Sequence, residues 1–203
     1  NWVTWSKELA DTPHQPLAFC EGRDGEILYV DYGGSIYELE PTPPETQRRP
    51  AFPKKLSESG LFAQVRGHVV QPALIPYSVN SPLWSDGAHK ERFIALPGEE
   101  RILFSERGGW KFPEETVLVK SFALDLEEGN AQSRRWIETR FMLLEQNEWA
   151  GYSYRWNEAQ TEAYLVGTKG EDRTFKIKDA TAPGGSRRQT WHYPSRAECM
   201  TCH

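Results

Sequence analysis

Short strand-like runs separated by glycine-bearing turns recur along most of this chain, and that alternation constrains the fold more than any other feature. The runs are Ile27-Leu28-Tyr29-Val30, Ser35 to Leu39, Arg92 to Leu96, Thr116 to Leu124, Arg134 to Leu144, Gly151 to Trp156, Ala163 to Val166 and Thr174 to Ile177. Between them stand Asp24-Gly25, Gly33-Gly34, Pro97-Gly98, Gly108-Gly109, Glu128-Gly129-Asn130, Lys169-Gly170 and Pro183-Gly184-Gly185. These residue types supply positive φ or preset turns. Hydrophobic residues are only 38% of the 203, yet aromatics reach 12% with eight Trp. Apolar content concentrated in large rings suits strands better than helices. The expectation is a mainly β protein, an antiparallel β-sandwich of jelly-roll-like form.

Five prolines, Pro41, Pro43, Pro44, Pro50 and Pro53, interrupt a polar stretch that cannot join a sheet interior or a helix, so residues 41–60 read as a linker. Residues 1–40 are too few to bury a core alone and need a partner. Residues 61–192 form the expected β-sandwich domain. Residues 193–203 begin something else: Ser195-Arg196-Ala197-Glu198 has the Ser-x-x-Glu form of a capping box and follows Pro194, which predicts a short helix from Ser195.

Formal net charge is -5 and no run of five like charges occurs, so no continuous basic track is offered to nucleic acid. No apolar stretch reaches the eighteen residues of a membrane-spanning helix; the longest, Phe141 to Leu144, is far shorter. The chain begins with Asn1 and no charged-then-apolar leader, as expected of a processed chain or a piece of a longer one. Three Cys make no disulfide framework, since two lie in the last five residues; Cys20 is expected to be a buried small hydrophobe.

Those last five residues, Cys199-Met200-Thr201-Cys202-His203, have the Cys-x-x-Cys-His form of a c-type haem attachment site. Two thiols add to the porphyrin vinyl groups as thioethers, and the neighbouring imidazole ligates the iron. On a helix, Cys199, Cys202 and His203 fall at i, i+3 and i+4, on one face. Cys199 and Cys202 are therefore the expected tethers for covalent haem c, and His203 the proximal metal ligand. With three Cys and five His in the chain, a chance match is on the order of one in a thousand. The competing readings are a redox dithiol, which would want a βαβ context, and half of a zinc site, in which His192 would be the fourth ligand. For a sixth iron ligand the chain offers Met142, in a strand-like run and more simply core; Met200, inside the motif; and His192. Arg187, Arg188 and Arg196 cluster in sequence and are candidates to meet the haem propionates, with a solvated basic turn as the alternative.

Residues Gly22 to Tyr37 resemble the closing blade of the sugar-dehydrogenase type of β-propeller, a group that includes the soluble pyrroloquinoline-quinone enzymes. Further on, Phe52 to Phe62, Ile75 to Arg92, Phe112 to Lys120, Glu138-Thr139-Arg140, Gly151 to Asn157 and Trp191 to Arg196 resemble a bacterial family of secreted diheme c-type cytochromes. That resemblance implies a propeller-blade-like hairpin segment over 1–40, a β-rich middle, and a cytochrome c-type segment starting at 193. It implies a periplasmic or extracellular electron-transfer component rather than a catalyst by itself. Its partner would be a redox protein or a fused dehydrogenase or cytochrome domain. The alternative is a carbohydrate-binding or structural β module of a larger secreted dehydrogenase-cytochrome protein. Two polar-aromatic clusters, Asn80, Trp84, Asp86, His89, Glu91 and Arg92, and Tyr152, Tyr154, Arg155, Trp156 and Asn157, would suit a sugar, but read equally as turn chemistry and strand packing. His89 with Glu91 would make half a metal site or, more simply, a solvated edge.

Overall fold

A computed structural model describes residues 12, 14–40, 52–145 and 147–201. Most of the expected linker, together with Cys202 and His203, lies outside the described residues. The protein is mainly β, built from several antiparallel sheets, and divides into two units, residues 1–52 and 53–203. Among the described residues no helix is long and apolar enough to cross a membrane.

The first unit carries β1 (Pro16–Glu21), β2 (Ile27–Asp31) and β3 (Ile36–Glu38), antiparallel in that order. The Asp31 carboxylate accepts from the Gly33 and Gln15 backbone N–H groups, which closes the β2–β3 turn while Gly34 takes a φ of 88°. Tyr29 is the buried residue of this sheet, with His14 stacked on Tyr37 and hydrogen-bonded to the Tyr29 hydroxyl at 2.6 Å. Every residue of β1 is exposed, so Cys20 is exposed rather than buried as expected. A three-stranded sheet with one buried ring has no interior to receive a thiol.

The second unit opens within the stretch read as linker. Leu56–Ser59 form a 3-10 turn whose Leu56 is fully buried. There follow β4 (Phe62–Gln64) paired with β5 (Val69–Val70), then β6 (Ile75–Pro76), β7 (His89–Ala95), β8 (Val117–Asp125), β9 (Arg134–Glu145), β10 (Glu148–Trp156) and β11 (Ala163–Leu165). The last six form one sheet in the order β11-β10-β9-β8-β7-β6, a meander in which sequence neighbours are spatial neighbours. A separate hairpin, β12 (Glu171–Lys178) with β13 (Ser186–Tyr193), precedes the helix α1 (Arg196–Cys199).

The six-stranded sheet is covered on both faces. One face carries Val119, Ser121, Thr139, Phe141, Tyr154 and Trp156, all buried. The segment from Pro53 to His68 closes it: the Tyr154 hydroxyl donates to the Pro53 carbonyl at 2.8 Å, and Phe62 meets the His68 ring edge-on at 5.2 Å. The opposite face packs on the hairpin, with Phe122, Leu124, Ile137, Trp191 and Tyr193 in one buried cluster. Burying each large apolar side chain there stabilises by roughly 1.5–3 kcal/mol.

A β-bulge organises both faces. Phe122 pairs with Glu138 but Ala123 pairs with Trp136, so Ile137 is the extra residue on β9. A bulge re-aims side chains locally. Trp136 stacks on His68 at 3.8 Å on the first face, while Ile137 joins the cluster beneath Trp191. Glu138 also reaches Trp191, accepting its indole N–H at 2.8 Å.

Candidate functional site

Of the residues that carry the chemistry of the Cys-x-x-Cys-His motif, Cys199 is the one among the described residues, and the structure seats it closely. The expected capping box is present: the Ser195 hydroxyl accepts from the Glu198 N–H at 3.2 Å, and the Glu198 carboxylate accepts from the Ser195 N–H at 2.8 Å. Each such cap contributes about 1 kcal/mol to a helix this short. Glu198 also meets His192 at 3.0 Å, and His192 meets Asp172 across the hairpin at 2.6 Å. His192, named from sequence as a candidate zinc or iron ligand, is exposed and ion-paired to both carboxylates. Hydrogen bonds to Asp172 and Glu198 raise its pKa, and bonds from Ser195 and His192 hold the Glu198 carboxyl down to about 2.

Gly151 makes the seat possible. It pairs with Met142 in the β9–β10 register, and a Cβ at this position would lie 2.3 Å from Cys199 Cβ and 3.3 Å from Met142 Sδ. Real Cβ atoms do not approach so closely, so any larger residue would displace α1. Cys199 is 8% exposed and lines a cavity of about 400 Å³. Leu118, Phe122, Met142 and Trp191 give that cavity apolar walls, and Leu83 and Trp84 stand at its side, Trp84 76% exposed. Met142 is buried core, as expected, and also forms part of this wall.

Lys120 and Arg140 belong to the same cavity. Strand register places Arg92 (β7), Lys120 (β8) and Arg140 (β9) side by side in one row across the sheet. Like charges directly opposite one another destabilise a sheet. Arg140 is neutralised by the fully buried Glu138 through bonds of 2.7 and 2.9 Å, and Glu138 also accepts from Ser153. Lys120 has neither hydrogen bond nor salt bridge among the described residues, and lies over the Phe122 ring at 5.0 Å. Burial, then the nearby Arg92, Arg140 and Lys90, pull its pKa down to about 8 against the opposing Glu138.

The basic cluster expected from sequence does not gather. Arg187 pairs with Glu128 at 2.8 Å and Asp179 at 3.5 Å near the start of β13. Five residues of strand, about 17 Å, separate it from His192. Arg196 lies over the Tyr152 ring at 5.0 Å. The cationic row was missed because its members come from three strands. One signal was legible: Lys120 interrupts the alternating set Leu118, Phe122, Leu124 on β8.

Alternation also splits the first polar-aromatic cluster. Trp84 and Asp86 line the cavity, and Arg92 shares the cavity face of the sheet. His89 and Glu91 point to the other face, where a chain of hydrogen bonds runs through the interior. The Trp156 indole donates to Thr139 Oγ1 at 3.0 Å, and Thr139 and Ser121 hydroxyls lie 2.9 Å apart. Ser121 Oγ lies 2.7 Å from His68 Nε2, and His68 Nδ1 lies 3.2 Å from Glu91. A consistent set of donors has each N–H or O–H pointing toward Glu91, with His68 neutral. Burial above all lowers the His68 pKa to about 4, in keeping with that neutral form. Serine, histidine and carboxylate in this order are the parts of a nucleophilic triad, but Ser121 is fully buried on a central strand and has no route to a substrate. In the second cluster Tyr154 and Trp156 are buried packing residues and Arg155 pairs with Glu171 at 2.6 Å. Among the described residues no group of three His, Cys, Asp or Glu is placed to hold a metal ion.

A scan against protein-family models, a search of curated proteins and a search of solved structures each found no match.

Proposed function

We propose that this chain is the haem-c-bearing part of a periplasmic or extracellular electron-transfer protein. Cys199 and Cys202 tether the haem and His203 ligates its iron. The observation that carries the reading is the Cys199 seat: a motif cysteine held by a capped helix against a glycine, at the wall of an apolar, tryptophan-lined cavity. Such a lining suits a flat apolar macrocycle, and the cationic side chains suit its carboxylates. The bound group would supply one-electron chemistry at iron. The protein's residues would orient it and exclude water from one side. Thioether attachment occurs outside the cytoplasm, hence the proposed location. The resemblance to secreted diheme c-type cytochromes points the same way, with a redox protein or a fused dehydrogenase or cytochrome domain as partner. In this reading the second unit is a sandwich of jelly-roll-like character, its central layer the meander sheet and its outer layers the segment from Pro53 to His68 on one face and the β12–β13 hairpin on the other.

The test is expression of the chain with a c-type haem maturation system. Haem-stained denaturing gels and a pyridine haemochrome spectrum are expected to report one covalent haem, and Cys199→Ala to shift the spectrum to that of a single thioether. No covalent haem on the wild-type chain would sink the reading. The carbohydrate-module reading has one observation in its favour, the exposed Trp84 indole beside Asp86 at the cavity. Calorimetric titration with soluble oligosaccharides, wild type against Trp84→Ala, separates the two.

A further inference from the structure

A protein that carries net charge -5 has nonetheless set Lys120 and Arg140 side by side on one cavity with apolar walls. Arg92, Lys120 and Arg140 are register partners on three adjacent strands, and the usual answer to such a row, an acidic residue opposite, is given to Arg140 alone. Glu138 is committed to Arg140, Trp191 and Ser153. The two carboxylates that line the cavity, Asp86 and Glu198, leave Lys120 without a salt bridge, and Glu198 is already engaged by Ser195 and His192. Lys90, one row along, donates to the Leu83 carbonyl. A half-buried ammonium beside two guanidinium groups costs stability, and an anionic ligand would offset that cost.

Position along the sheet adds a second constraint. Cys199 sits on the Met142–Gly151 row, and Lys120 lies one row along and two strands across from Gly151. Two residues of rise and two strand spacings put their Cα atoms about 12 Å apart. That is the scale of a porphyrin, whose vinyl and propionate arms leave opposite edges.

We propose that Lys120, flanked by Arg92 and Arg140, is the seat for the carboxylates of the tetrapyrrole whose opposite edge is tethered at Cys199. The assignment rests on the haem-c reading above and deepens it. The ligand class is a planar apolar macrocycle with carboxylate arms; the two Trp and Leu118 cover its faces and Lys120 neutralises its charge.

Mesoporphyrin IX is the probe, because ethyl groups replace its vinyls and no thioether can form. Tryptophan quenching in the full-length apo chain would measure its affinity for wild type, Lys120→Met, Lys120→Arg and, as a surface control, Lys169→Met. Loss of one charge-assisted contact is expected to weaken binding roughly tenfold in Lys120→Met. Lys120→Arg should restore it, and Lys169→Met should match wild type. Equal affinity in Lys120→Met and Lys169→Met overturns the assignment. Should Lys120→Met fail to fold, the wild-type chain is compared with the diacid and its dimethyl ester in one cosolvent, and equal affinity for the two overturns it likewise. The two proposals fail separately. Covalent haem with Lys120-independent porphyrin binding removes the carboxylate seat alone; Lys120-dependent binding without covalent haem removes the tether alone.

Discussion

Ser121 and Lys120 are consecutive residues on β8, and they serve opposite faces of one sheet. On the Ser121 face the buried polar side chains among the described residues are partnered in one chain, from Trp156 through Thr139, Ser121 and His68 to Glu91. On the Lys120 face a row of like charges borders a cavity and one ammonium is left over. Buried polar groups stabilise only when satisfied, and a half-buried row of like charges costs stability that a bound anion can offset. The first face has the economy of a core and the second the cost of a binding site.

Breaking the satisfied chain should give the largest effect. His68→Ala removes the partner of both Ser121 and Glu91 and opens a hole against Trp136, at a cost of about 3 kcal/mol. For a unit of this size that lowers Tm by roughly 6–12 °C, measured by calorimetry. The same residue gives a pH signature. His68 stays neutral in the folded protein down to about 4, while in the unfolded chain it protonates near 6.5. The unfolded state therefore binds the extra proton between those values, and wild-type stability should rise by roughly 3 kcal/mol from pH 4 to pH 6.5. His68→Gln should flatten that segment of the profile, and an unchanged slope would mean that the interior chain is hydrated.

Lys120→Met should act in the other direction. Relief of the like-charge row and added apolar contact with Phe122 are expected to stabilise the protein by up to about 1 kcal/mol, read as a higher denaturant midpoint at constant slope. Destabilisation instead would show that the ammonium has a structural partner, and the contrast between the faces would fall.

What could be read from the sequence divides along the range of the interactions. The strands from β7 to β12 were legible because their alternation and aromatic content are local, and so was the capping box, whose two partners are three residues apart. The strand β13, Ser-Arg-Arg-Gln-Thr-Trp-His-Tyr, was not, since its polar residues face solvent and only Trp191 and Tyr193 are buried. The bulge at Ile137 was invisible as well, and without it neither the Glu138–Trp191 bond nor the charge row can be placed. His68 and Ser121 are 53 residues apart, beyond any pattern a single sequence displays. Of the basic residues close in sequence, Arg187 pairs with Glu128 and Arg196 lies over Tyr152, neither on the cavity, whereas the ones that converged come from different strands. Register, not spacing, built the candidate site.

The smallest effect tests whether the Cys199 seat belongs to the cavity face or is only hung beside it. α1 is latched to the hairpin through Asp172–His192–Glu198. The pKa of His192 is raised in the fold, so its contribution is complete below about 6.5, its unfolded value, and fades as pH climbs through the raised one. Glu198 is held down to about 2, so its contribution is complete above 4.5 and fades as pH falls toward that value. The latch is therefore fully engaged between pH 4.5 and 6.5. Both side chains are about half exposed, and screening limits the pair to a few tenths of a kcal/mol. His192→Gln should lower Tm by about 1 °C at pH 5.5 and by nothing measurable at pH 9. His192 also lines the cavity, so mesoporphyrin and its dimethyl ester are compared. Binding of both to His192→Gln should weaken at pH 5.5 if a docked Cys199 forms part of the cavity wall, whereas loss of the imidazolium charge alone weakens the diacid only. Unchanged binding alongside the lowered Tm would place the porphyrin on the sheet alone, with Lys120 as its anchor and α1 as no more than a neighbour.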